Sequence, residues 1–98
     1  MRERQPAVYL LSNKRHGTLY TGVTSNLPGR IWQHKNLAID RFATKYKLTK
    51  LVYFEVCENM YQAITREKQI KAGSRKKKLM LIRSMNPEWQ DLYEEICG

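Results

Sequence analysis

Two tyrosines, an arginine, a histidine and a glutamate are the residues of this 98-residue chain whose types suit one piece of chemistry together. Hydrolysis of a phosphodiester needs a group that activates water, a cation that stabilises the developing negative charge, and help for the departing oxygen. Glu67 holding a divalent metal ion, the fork of Arg30, and the phenol of Tyr9 or Tyr20 or the imidazole of His34 would supply these. No Ser-His-Asp arrangement, phosphate-binding glycine loop or paired-carboxylate pattern competes with that set. Taken singly, each residue also has an ordinary reading. Tyrosines on strands pack and hydrogen-bond their hydroxyls, Arg30 and His34 suit a helix surface, and Glu67 sits in the charge-laced stretch REKQIK. Convergence is what would separate the two readings.

The elements that must bring these residues together can be read from pattern. AVYLLS (residues 7–12) and LYTGV (19–23) have strand character, and the loop of about six residues between them, with Gly17 as its turn residue, makes a β-hairpin. Alternation along each strand allows Tyr9 and Tyr20 to share one face. Thr24, Ser25 and Asn26 are N-cap types and Pro28 suits a first helical turn, which predicts a helix over residues 27–37. On it Arg30 and His34 are one turn apart, while Leu27, Ile31 and the stem of Lys35 form an apolar side.

Residues 38–48 show no clear period and read as a loop or a short turn of helix. Residues 49–58, TKLVYFEVCE, form the strongest strand pattern and add a third strand to the hairpin. Asn59 and Gly73 bracket a helix over residues 60–72, with an apolar face of Ala63, Ile64 and Ile70 beside Tyr61 or the stem of Lys71. Another helix starts after Ser74. Asn86 and Pro87 read as N-cap and first residue of a last helix, about residues 87–96, with an apolar stripe of Trp89, Leu92, Tyr93 and Ile96. The expected fold is α/β of the α+β type: a small three-stranded antiparallel sheet flanked by helices. The length suits one domain over residues 1–98, with a core over about 7–84.

Composition narrows the partners. Eighteen Lys and Arg against nine Asp and Glu give a formal net charge of +9, which points to a polyanion, with nucleic acid first and an anionic membrane surface second. The densest basic run joins Lys71 to Arg75, Lys76, Lys77 and Lys78, with Arg66 and Lys68 close by. Contacts from such a run confer affinity and salt dependence rather than sequence choice. No helix pattern combines a basic with a large apolar face, so no membrane partner is expected. Apolar runs fall far short of the roughly 20 residues that span a bilayer, and MRERQP lacks a signal-peptide core, so the expected location is the cytoplasm. Cys57 and Cys97 form no CxxC pattern and read as reduced packing residues.

Placed in order, AVY (residues 7–9), YTG (20–22), TSNLPGRIWQHK with Arg30 and His34, and AITREKQIK with Glu67 resemble the GIY-YIG nuclease family over residues 7–78. The length is similar to that of its small stand-alone bacterial members. The tyrosines and Gly22 of the family motifs are kept, whereas Ala7 and Val8 replace Gly and Ile, and Thr21 replaces Ile. The resemblance implies metal-dependent hydrolysis of DNA phosphodiesters with one Mg²⁺ or Mn²⁺ held by Glu67. It implies that Tyr20 or Tyr9 activates the attacking water while the other orients it or the phosphate, that Arg30 binds the scissile phosphate, and that His34 assists proton transfer. Many members carry a further Asn after the metal-binding Glu. Asn86 is a candidate for it, against its N-cap reading.

With no room for a separate recognition domain, the expected action is structure- or single-strand-directed unless a partner protein supplies specificity. The alternative is a non-catalytic nucleic-acid-binding module that retains the nuclease fold.

Overall fold

β1 (Ala7–Ser12) is the central strand of the computed structural model, which describes residues 5–98. All six of its residues are buried, which explains why its sequence is a continuous apolar run rather than an alternation. β2 (Leu19–Thr24) and β3 (Lys50–Val56) pair with it antiparallel on either side, giving the order β2-β1-β3. The sheet is therefore the expected three-stranded antiparallel one, flanked by helices. No helix among the described residues is long and apolar enough to cross a membrane.

Alternation along β1 feeds two apolar clusters. Ala7, Tyr9 and Leu11 pack with Leu27 and Ile31 of α1 (Leu27–Asn36) and Ala43 of α2 (Arg41–Lys45). Val8 and Leu10 pack with Ala63 and Ile70 of α3 (Met60–Ala72) and Ile82 of α4 (Arg75–Met85). A register shift opposite Leu10 and Leu11 leaves Val52 between the paired residues Leu51 and Tyr53. This bulge sends Leu51 to the first cluster and both Val52 and Tyr53 to the second.

The helix starts follow side-chain capping: Asn26, Asp40, Asn59 and Ser74 each accept from a backbone N–H three residues on. Residues 38–48, without a period, thus contain the short helix α2, held by its Asp40 cap. Along α3, Ala63 and Ile70 are buried as expected, but Ile64 and Tyr61 lie exposed, because the helix packs on β2 and β1 along a narrower stripe.

Two local expectations are corrected. In the hairpin loop the left-handed residue is His16, with φ 58°, and not Gly17. Gly17 is required for space instead: a Cβ there would lie 2.0 Å from Asn13 Oδ1, the acceptor that closes the loop on the Thr18 N–H. The last helix does not begin at residue 87. Asn86 caps the C-terminus of α4, and its amide donates to Val52 O (3.2 Å) and Gln90 O (2.7 Å) while its Oδ1 accepts from Gln90 N. Trp89 then takes φ 58°, which a helix cannot continue through, so α5 is confined to Tyr93–Cys97. The segment so formed covers the free edge of β3 through Leu92 N to Leu51 O (2.8 Å) and Leu51 N to Asp91 Oδ1 (3.1 Å).

Candidate active site

Pairing places Tyr9 opposite Gly22 and Leu11 opposite Tyr20, so the two tyrosines occupy one face of the hairpin on a diagonal. Their ring centroids are 6.3 Å apart, and the His34 ring lies in edge contact with both, 5.6 Å from each. Gly22 makes this possible. A Cβ there would stand 2.4 Å from Cζ and from Oη of Tyr9, so the Tyr9 ring lies directly over the β2 backbone.

The two phenols differ in environment. Tyr9 is 1% exposed, and its hydroxyl is 2.8 Å from Nε2 of His34. Burial first, then the charges of Tyr20, Asp40 and Glu67, push its pKa far above the usual 10, against an opposing effect of Arg30. Tyr20 is half-buried and donates to Asp40 Oδ2 at 3.1 Å. Its pKa is pushed up to about 12 by burial, by the Asp40 charge and hydrogen bond, and by Glu67, again opposed by Arg30. Burial and the neighbouring Arg30 charge pull the His34 imidazole below its ordinary 6.5, partly offset by Asp40. At neutral pH the cluster is two protonated phenols around a neutral imidazole, and Tyr9 donates to Nε2 when the ring proton is on Nδ1.

Arg30 is exposed one turn before His34 on α1, and among the described residues it is in no ion pair. Glu67 comes from α3 with its side chain 13% exposed and paired to Lys71 Nζ at 3.1 Å. Arg30 and Glu67 both act on the acidity of both phenols, so each lies within electrostatic reach of Tyr9 and Tyr20. Among the described residues no group of three or more His, Cys, Asp or Glu could hold a metal ion. Glu67 by itself fits a hard cation such as Mg²⁺, which keeps several waters and is commonly held by one or two carboxylates together with substrate phosphate.

Tyr20 and Asp40 form one wall of a cleft of about 520 Å³, to which Phe42 adds an aromatic ring and Lys71, Arg75 and Lys78 add charge. The basic run is thus divided. Arg75 also donates to the carbonyls of His16 and Gly17, and Lys78 to those of Lys71 and Gly73, while Lys76 and Lys77 lie outside this cleft. Arg66 is committed to Glu55 through a bidentate pair.

A model of the GIY-YIG catalytic domain matches residues 5–80. The chain belongs to the GIY-YIG family. Its relatives include a UPF0213 protein of Clostridium perfringens, 40% identical over 89 residues that make up 91% of this chain and 95% of the relative. A UPF0213 protein of Desulfotalea psychrophila is 35% identical over 79% of this chain and 71% of its own length, and one of Staphylococcus saprophyticus 36% identical over 76% and 90%. No solved structure gives a match. GIY-YIG domains are nuclease domains, so the family brings nucleic-acid binding with it.

The departures from the family motifs fall at buried positions, Ala7, Val8 and Thr21, of which Thr21 also lines the cleft. Asn86, the candidate for the family's further Asn, has its amide engaged by the β3 edge and the Gln90 turn, and it does not line the cleft. Asp40 is the residue that sequence reasoning missed. Its only local signal was its capping position ahead of RFATK, and the bond to Tyr20 spans 20 residues.

Proposed function

We propose that this GIY-YIG domain hydrolyses phosphodiester bonds of DNA with one divalent cation, Mg²⁺ or Mn²⁺, acting on unpaired or branched strands rather than on a fixed sequence. The observation that carries the proposal is the Tyr9–His34–Tyr20 cluster, on whose phenols the charges of Arg30 and Glu67 both act, with Tyr20 lining a cleft edged by Lys71, Arg75 and Lys78. The Glu67 carboxylate would hold the cation, which when bound would supply positive charge to the phosphate and lower the pKa of a water beside it.

The chain's own groups divide the remaining work. Tyr20, which lines the cleft, is the phenol able to meet the attacking water and orient it. Tyr9 is sealed from solvent and holds the His34 ring in place. With pKa values this high neither phenol is a base at pH 7, whereas the neutral imidazole of His34 can accept a proton at Nδ1 in the tautomer whose Nε2–H donates to the Tyr9 hydroxyl. Arg30, exposed and outside any described ion pair, stabilises the added charge on the phosphate. Phe42, 46% exposed, lines the cleft, and the ring of Tyr46, 40% exposed, lies beside it with centroids 4.8 Å apart. Unpaired bases stack on such rings, which supports a preference for unpaired strands, and any finer target choice falls to a partner protein.

The test is a cleavage screen over single-stranded, duplex and branched DNA in Mg²⁺ and Mn²⁺, beside Glu67→Ala. Cutting of unpaired or branched forms that EDTA and Glu67→Ala abolish is expected, and no cutting of any form would overturn the proposal. One observation favours a second reading, a nucleic-acid-binding module without cleavage: the Tyr20 hydroxyl is donated to Asp40 and Glu67 is paired with Lys71. Binding that persists in EDTA, with no cutting in either metal, would select it.

A further inference from the structure

A second groove of about 520 Å³ is lined by Arg15 and His16 of the hairpin loop, Lys76, Met80 and Arg83 of α4, and Trp89. Arg75 links the two depressions: it lines the cleft and donates to the carbonyls of His16 (2.9 Å), a residue of the groove, and Gly17 (2.8 Å). The groove is a built feature. His16 and Trp89 both hold φ 58°, and their rings are in contact at 5.1 Å. For a residue as bulky as Trp this backbone region is a genuine outlier, and such outliers persist where surrounding structure holds them for a purpose. Here they hold the loop against the 86–92 segment, with Arg15 beside the Lys76 and Arg83 side of α4.

The charge of the groove is one-sided. Three cations face one carboxylate, Glu88, which lies 3.6 Å from Arg15. Lys76 and Arg83 are two helical turns apart, about 10 Å along the axis, so they are spaced to meet successive charges along an extended anion rather than a single small one.

We propose that this groove is a second nucleic-acid contact, which receives the backbone of the strand running past Arg75 from the tyrosine cleft, with Arg15, Lys76 and Arg83 binding its phosphates. The inference rests on the reading of the cleft as a nucleic-acid site and extends its footprint around the molecule. A strand too short to leave the cleft does not reach the groove.

The test is binding, measured by fluorescence anisotropy in EDTA so that cleavage plays no part, with labelled single-stranded DNA of about 4 and about 16 nucleotides. The variants are the double substitution Lys76→Gln with Arg83→Gln, and separately Arg15→Gln; all three side chains are exposed, and unchanged thermal unfolding confirms the fold. For the long strand the double variant is expected to lower the slope of log affinity against log salt by about 1.4, and to weaken binding roughly tenfold at moderate salt. Arg15→Gln should lower the slope by about half as much, and binding of the short strand should not change. Unchanged slope and affinity on the long strand, or equal losses on both strands, would overturn the groove while leaving the cleft proposal standing. Failure of the parent protein to bind either strand would overturn both.

Discussion

Gly22→Ala is the perturbation that tests most sharply how the tyrosines are seated. The new methyl carbon would stand 2.4 Å from Cζ and Oη and 2.8 Å from Cε2 of Tyr9, the closest of these about 1 Å inside ordinary van der Waals contact. Tyr9 is 1% exposed and its hydroxyl is 2.8 Å from His34 Nε2, so a ring displaced by that amount gives up the bond and presses into the core. Overpacking of about 1–3 kcal/mol and a lost buried hydrogen bond of about 1 kcal/mol sum to about 3 kcal/mol. For a chain of this size that lowers Tm by roughly 10–20 °C. The assay is thermal and urea unfolding of Gly22→Ala, of Tyr9→Leu, and of the two together. Because the shorter Leu side chain removes the clash, the double variant should be clearly more stable than the sum of the single losses predicts. Strict additivity, or an unchanged Tm for Gly22→Ala, would refute the placement of the Tyr9 ring over β2.

Further outcomes follow from the charges around the cluster. Asp40→Asn keeps the α2 cap, since Asn caps about as well as Asp, but removes the charge beside Tyr20. The Tyr20 pKa should then fall from about 12 by roughly one unit, read by NMR titration of labelled tyrosine with Tyr20→Phe for assignment, and an unchanged value would contradict the Asp40 role. The folded His34 imidazole resists protonation below its ordinary 6.5 while the unfolded one does not, so part of the stability present above that pH is lost as pH falls below it. His34→Gln should flatten urea stability across that window; a decline as steep as the parent's would show that His34 is not its source. Arg30→Ala should leave Tm within about 0.5 kcal/mol equivalent, as expected for an exposed residue, yet lower cleavage at least about 100-fold. Retained cleavage would remove Arg30 from the phosphate.

Much of the architecture was legible in local pattern. AVYLLS could be read as a strand to the residue because its burial on both faces writes itself as a continuous apolar run, and α1, α3 and α4 announced themselves through Asn26, Asn59 and Ser74. The failures share one cause, which is that a tertiary contact took over a locally plausible signal. Asn86 with Pro87 is a good helix start by itself, but the Asn86 amide is engaged by Val52 and Gln90, and covering the β3 edge requires an extended segment there. Gly17 looked like the turn residue, yet the Arg75 bonds and the Trp89 contact hold His16 in the left-handed region. The five candidate residues were suggested by type and order, whereas their unequal environments could not be read there. Only the folded hairpin seals Tyr9 and leaves Tyr20 at the cleft, and only the packing of α2 brings Asp40 to that phenol.

The central claim is that Glu67, from a helix far along the chain, completes with the tyrosine cluster a metal-dependent hydrolytic site. It is tested most directly by the single-turnover rate at which saturating enzyme cuts single-stranded DNA in Mg²⁺, parent against Glu67→Ala, with DNA binding of both measured in EDTA. The prediction is a fall of at least about 100-fold in the Glu67→Ala rate while binding is retained. Equal rates in parent and variant would contradict it.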